Sequence, residues 1–185
     1  KPAYSVFTSF RGGVETLVDA LVEQVPATLR LDTRVQGVTR SSEGVYQVHL
    51  GDGEVLEADA VVATTPAYLT AGLLKRVAPE AADELRSIRF VSTGALTMGF
   101  RREDVPADLN AFGIVIPSSA NRPINALTFS STKFNHRAPE GHAMIRMFFG
   151  GSRSEATMHM DDEAVKQLAA EQLADILGIS TAPQF

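Results

Sequence analysis

The sequence predicts an α+β fold: an antiparallel sheet with flanking helices, joined to a small β-meander and one further helix. Three observations lead there. Residues 14–25 and 161–177 carry apolar side chains at helical spacing. Residues 46–50 alternate Tyr46, Val48 and Leu50 with Gln47 and His49, the period of a half-buried strand. Beyond residue 90, short runs rich in Val, Ile and Phe are separated by turn signals rather than by long helical stretches.

Taken in order, Val14, Leu17, Val18, Leu21, Val22 and Val25 form the apolar stripe of the first helix, with Gly12 and Gly13 before it and Pro26 after it. Leu29 and Leu31 open a short predicted strand, and residues 33–40 a second one that ends in the polar turn 41–44. Gly51-Asp52-Gly53 is a hairpin signal, with Val55 and Leu56 continuing the meander. Residues 60–63 are a buried-type run whose paired valines favour strand over helix. After Pro66 the pattern changes to two short helices, 67–74 and 79–88, the second opening on Pro79 where proline is tolerated. Strands are expected at 91–100, 112–116, 126–130 and 143–149, with turns at 104–106, 121–123 and 139–141. The last helix starts among Asp161 and Asp162 and stops at Gly178. The seam is expected at 66–69, dividing the chain into residues 1–66 and 67–185.

Composition narrows the function. The chain has 185 residues, 44% hydrophobic and 21% charged, which is ordinary for a globular domain. With no cysteine there is no disulfide scaffold and no thiolate metal site. A net charge of −5 argues against nucleic acid as a partner, which requires a basic surface. No apolar run approaches the ~18 residues of a membrane span, and the first residues carry no secretory signal pattern. The expected compartment is the cytoplasm. The absence of an initiator Met and the bare end at Gln184-Phe185 suggest a piece of a longer polypeptide.

No catalytic constellation stands out. His49, His136, His142 and His159 lack ligand spacing, so no metal site is expected. Asp161, Asp162 and Glu163 read as charges favoured at a helix start, and residues 101–104 as a solvated turn. No Gly-x-Gly-x-x-Gly follows a strand. A dinucleotide cradle, if one serves this chain, is expected outside these residues. Two pairings of an aromatic with glycine remain, at Phe112-Gly113 and at Phe148-Phe149-Gly150-Gly151. Glycine lets a flat ligand approach the backbone and phenylalanine offers it a face. Core packing around a bulge accounts for the same residues and is the reading these residues favour by themselves.

The residues in sequence order resemble a known family. Residues 7–17, with Phe10-Arg11-Gly12-Gly13, Val91-Ser92 to Phe100, Ala111-Phe112-Gly113-Ile114-Val115-Ile116-Pro117-Ser118-Ser119 and Phe149-Gly150-Gly151 are similar to the bacterial protoporphyrinogen/coproporphyrinogen oxidases, while the stretch from Thr33-Arg34-Val35 to Val61-Val62-Ala63-Thr64-Thr65-Pro66 resembles their wider superfamily. These are FAD enzymes of heme biosynthesis within the flavin amine oxidase superfamily. The resemblance implies that residues 1–66 derive from the FAD-binding domain and 67–185 from the substrate-binding domain. It implies cofactor contacts at Val35, Thr64 and Pro66, and a tetrapyrrole pocket lined by Phe112, Gly113, Val115 and Phe148. No side chain is implied as a catalytic acid or base, because the flavin carries the chemistry.

The implied reaction is dehydrogenation of coproporphyrinogen III or protoporphyrinogen IX to the porphyrin, with dioxygen as acceptor and hydrogen peroxide released. Lys133 or Arg146 meeting a propionate is one reading, and an exposed surface charge is the other. The isolated piece is expected to be inactive and without FAD. Two other readings stay open: a superfamily oxidoreductase acting on an amine or a carotenoid, and a non-catalytic tetrapyrrole-binding or interaction module. Peripheral membrane contact is compatible with an apolar substrate, and the residues do not specify an oligomeric state.

Overall fold

In the computed structural model of the chain, residues 7–185 are described. They contain five α-helices and two antiparallel sheets. The elements run α1 (Glu15–Gln24), β1 (Val35–Arg40), β2 (Tyr46–Leu50), β3 (Val55–Ala58), α2 (Ala67–Leu74), α3 (Pro79–Ser87), β4 (Thr93–Arg101), β5 (Gly113–Val115), β6 (Ile124–Phe129), α4 (Ser130–Lys133), β7 (His142–Gly150) and α5 (Asp162–Leu177). The α+β class expected from the sequence is the one observed.

The chain forms two compact units, one of Pro26–Phe90 and one of the residues up to Val25 with Val91–Phe185. The expected seam at 66–69 falls inside the first of these, because α2 packs against β1 and against α3. In that unit β1, β2 and β3 form the meander in sequence order. Its first turn closes through Gly44 N–H to Ser41 O at 3.0 Å and Ser41 N–H to Val45 O at 2.9 Å. The second closes through Gly53 N–H to Leu50 O, with Gly53 at φ +92° where a side chain is disfavoured. Val38 and Leu50 are the buried apolar residues of the meander.

The other unit is built on a four-stranded sheet in the order β4-β7-β6-β5. Nine consecutive residue pairs join β4 to β7, from Thr93–Gly150 to Arg101–His142. Alternation sends Ile145, Met147 and Phe149 of β7 to one face, together with Leu127 and Phe129 of β6 and Met98 and Phe100 of β4. Leu168, Ala169, Leu173 and Leu177 of α5 join the same apolar cluster and cover that face. The sequence signals for α5 act as anticipated. Asp161 caps its start by accepting from Ala164 N–H at 2.8 Å. Gly178 ends it in a left-handed conformation, and its N–H returns to Ala174 O. The outer edge of β4 is met by the end of the chain, where Gly99 N–H donates to Phe185 O and Gln184 N–H donates to Gly99 O.

Two expected strands are absent. Around Leu29 and Leu31 the chain turns, and Leu31 is exposed. Residues 60–63 run without a ladder, and Val62 is 85% exposed. Both segments have strand-type residues, but a strand exists only where a neighbour accepts its backbone hydrogen bonds, and no described residue does so there. Helix α1 forms as expected, yet none of its residues is buried. Its stripe of Val14, Leu17, Val18, Leu21 and Val22 is exposed throughout.

Candidate functional site

The four-stranded sheet buries one face under α5, and among the described residues no helix covers the other in the same way. Register defines what the open face presents. Gly113 lies beside Thr128, Thr128 beside Arg146, and Arg146 beside Thr97, forming one row. The next row, about 7 Å along the strands, is Val115, Ala126, Phe148 and Ala95. Three of the four residues expected to line a substrate pocket, Gly113, Val115 and Phe148, are thereby brought to one surface. Val115 is 81% exposed and Phe148 partly so, whereas their strand neighbours Ile116, Met147 and Phe149 are buried. Arg146 sits between them in the first row, its Nε donating to Thr97 Oγ1 across the strands at 3.0 Å. The rows contain no carboxylate and no imidazole, so what they supply is shape, an apolar surface and one cation.

The glycines of this sheet have reasons of their own. A Cβ on Gly113 would lie 2.2 Å from Leu127 O, so the close approach of β5 and β6 demands glycine. Gly94 is covered by the Phe149 ring across the strand pair, with room for no side chain. Gly150, at φ +79°, is hemmed in by Met158 and Ser92 O. The packing explanation of both aromatic–glycine pairings therefore holds for Gly113, Phe149 and Gly150. It does not extend to Phe148, which packs on the open face.

Phe112 lies apart from the other three. It precedes β5, and its carbonyl accepts from Phe129 N–H at 3.0 Å, at the end of the sheet where β6 runs into α4. Its ring meets Phe7 edge-on, with centroids 5.1 Å apart, and Phe7 meets Phe134 at 6.5 Å. These rings line a hollow of about 530 Å³ formed by residues 7–11, Phe112 and residues 132–137. Phe148 does not line it. Lys133 Nζ stands 3.9 Å from the Phe7 ring centroid. Arg137 Nη2 donates to Ser9 Oγ at 2.9 Å and more distantly to Phe10 O, tying the approach to α1 to the segment after α4. The sequence pointed to Phe112 and Lys133 separately. It gave no sign that Arg11 and Arg137 join them, because the pairing spans more than a hundred residues and depends on the fold.

The three residues expected at a cofactor, Val35, Thr64 and Pro66, all lie in the meander unit. Arg34 O accepts from Gly51 N–H at 2.8 Å, and Leu50 N–H is directed to Glu54 O. Val35 opposite Leu50 is thus a non-hydrogen-bonded pair, and its own N–H and C=O point away from β2. Those backbone groups at a strand edge suit the polar edge of an adenine, so the residue present fits the role. Thr64 and Pro66 are exposed on the segment leading into α2. Pro66 O accepts from Leu69 and Thr70 N–H, while Thr70 Oγ1 donates to Thr65 O at 2.9 Å, fixing the bend. A separate polar cleft of about 350 Å³ in this unit is lined by Gly37, Thr39, His49 and Arg76 among others, and His49 Nε2 pairs with Thr39 Oγ1 at 2.7 Å.

Among the described residues no group of three metal-ligating side chains converges. No helix among them is long and apolar enough to cross a membrane.

The model of the flavin containing amine oxidoreductases matches residues 3–185. Coproporphyrinogen III oxidase of Propionibacterium freudenreichii subsp. freudenreichii is 35% identical over 187 residues, covering 98% of this chain and 34% of that protein. Coproporphyrinogen III oxidase of Bacillus subtilis (strain 168) is 27% identical over 180 residues, covering 97% of this chain and 38% of that protein. A crystal structure from Exiguobacterium sp. 255-15, provisionally named protoporphyrinogen oxidase, superposes with a TM-score of 0.78 at 29% identity. That match covers 96% of this chain and 38% of the other. The chain therefore spans between a third and two fifths of the length of these relatives.

Proposed function

This chain belongs to the flavin containing amine oxidoreductase family, and on that premise we propose that it supplies the substrate-facing part of an FAD-dependent porphyrinogen oxidase. The substrate is coproporphyrinogen III or protoporphyrinogen IX, and the products are the porphyrin and, from dioxygen, hydrogen peroxide. The observation that carries this reading is the open sheet face. Val115, Ala126, Phe148 and Ala95 form an apolar row beside Arg146, on the opposite face from the core.

FAD, when bound, accepts the hydrogens removed from the macrocycle. Everything else falls to orientation. The apolar row supports the face of a flat ring system and keeps water from it. Gly113 lets β5 close onto β6 and so holds Val115 in the apolar row. Arg146, held by Thr97, gives that face one positive charge. With FAD bound, Val35 would offer its backbone N–H and C=O to the adenine, and Thr64 and Pro66 would lie on the chain beside the cofactor. Residues 1–66 are assigned to the FAD-binding domain and 67–185 to the substrate-binding domain. The cytoplasm is the proposed compartment.

The test is turnover by the full-length protein containing this chain. Porphyrinogen should be oxidised with release of peroxide, and an amine of similar size should not. Phe148→Ala should raise KM roughly tenfold or more by removing an aromatic face from the site, with flavin content unchanged. Amine oxidation without porphyrinogen oxidation would reject the reading.

A further inference from the structure

We propose that the hollow around Phe112 is the carboxylate-recognition site of the enzyme, with Arg11, Lys133 and Arg137 as its cations. This rests on the porphyrinogen reading and deepens it, because it says which residues meet the substrate's acidic rim. The lining holds three cationic side chains and neither Asp nor Glu, in a chain whose net charge is −5. Among the described residues none of the three forms an ion pair. Arg137 donates to neutral acceptors, Ser9 Oγ and Phe10 O, and Lys133 faces the Phe7 ring.

A carboxylate entering the hollow would therefore meet cations that need not be taken from a protein partner. Charge-assisted contacts of this type are about twice as strong as neutral ones. Phe7, Phe112 and Phe134 give the same hollow an apolar floor. Cations above aromatic rings suit a ligand that is greasy in its plane and acidic at its edge. The volume of about 530 Å³ suits part of such a ligand rather than a single ion. Position supports the assignment as well. Phe112 is bonded directly to Gly113, the first residue of the open face, so the hollow adjoins the end of that surface.

The experiment uses the full-length protein and two probes, coproporphyrin III free acid and its tetramethyl ester, with binding followed by fluorescence quenching. The wild type should hold the acid at least tenfold more tightly than the ester. Lys133→Met and Arg11→Met should each remove most of that preference and raise KM for the porphyrinogen roughly tenfold, with kcat within about twofold. Lys133→Arg should restore both. Arg137 is left intact because it also anchors Ser9 and Phe10. Equal affinity of the wild type for acid and ester overturns the inference even if every variant loses its flavin. An undiminished preference in both Met variants also overturns it. Porphyrinogen turnover alongside either result leaves the functional reading standing, whereas a wild type that oxidises no porphyrinogen sinks both.

Discussion

The four-stranded sheet and the three-stranded meander are made of similar strands, yet only the first has a core of its own. In the sheet unit, Phe100, Ile124, Leu127, Phe129, Ile145 and Met147 are nearly inaccessible to solvent, and α5 closes over them. In the meander unit, Val38 and Leu50 are buried with parts of α2 and α3, while Val55, Val61 and Val62 are exposed. Helix α1 extends the contrast, with a regular apolar stripe and nothing buried. The difference teaches that apolar periodicity fixes which face of an element wants cover. It does not say which piece of chain provides it. The sheet unit finds its cover in a helix 12 residues beyond β7; the exposed faces of α1 and the meander find none among the described residues. Exposed apolar stripes of this kind mark contact surfaces.

The strongest way to break the comparison is to empty the dense core. Phe129→Ala should cost about 3–5 kcal/mol in denaturant unfolding, because the ring is 2% exposed among β6, β7 and α5 residues. A loss under 1 kcal/mol would mean that this sheet is not the stable part of the molecule. Glycines give a sharper pair. Gly113→Ala forces a methyl group against Leu127 O and should cost upward of about 3 kcal/mol, combining overpacking with backbone strain. Gly53→Ala meets nothing within 4 Å and carries only the penalty of φ +92°, roughly 1 kcal/mol. Equal costs would show that β5 and β6 separate easily.

A smaller effect is expected in α1. Leu21→Gln should leave the stability of this chain within about 0.5 kcal/mol, as for other exposed positions away from special features. A larger loss would show that the stripe is covered.

The smallest effect concerns Arg30 and Glu54, which pair through two hydrogen bonds of 3.0 and 2.7 Å. The hydrogen bond from Arg30 holds the Glu54 carboxyl below its ordinary value. A depressed folded-state value means that the contribution is present above the unfolded pKa and fades as pH falls through the folded one. Glu54→Gln should thus lower stability slightly at neutral pH and not in strong acid, a difference readable from unfolding midpoints at the two pH values. Both side chains are well exposed, so screening keeps the effect small.

Read alone, the sequence determined every element whose signal is local. Asp161 and Gly178 delimit α5 because a cap and a left-handed turn are properties of a few adjacent residues. Gly51-Asp52-Gly53 placed the β2–β3 hairpin for the same reason. Residues 60–63 and Leu29 with Leu31 misled because strand composition records a preference for extended backbone, whereas a strand requires a partner elsewhere in the chain. The candidate site divides along the same line. Phe112, Gly113, Val115 and Phe148 could be picked out as residue types, but the register of β5, β6 and β7 decided that three share a face. Only the tertiary structure drew Arg11 and Arg137 to Phe112, because charge and aromatic contacts act through space between segments that the sequence keeps far apart.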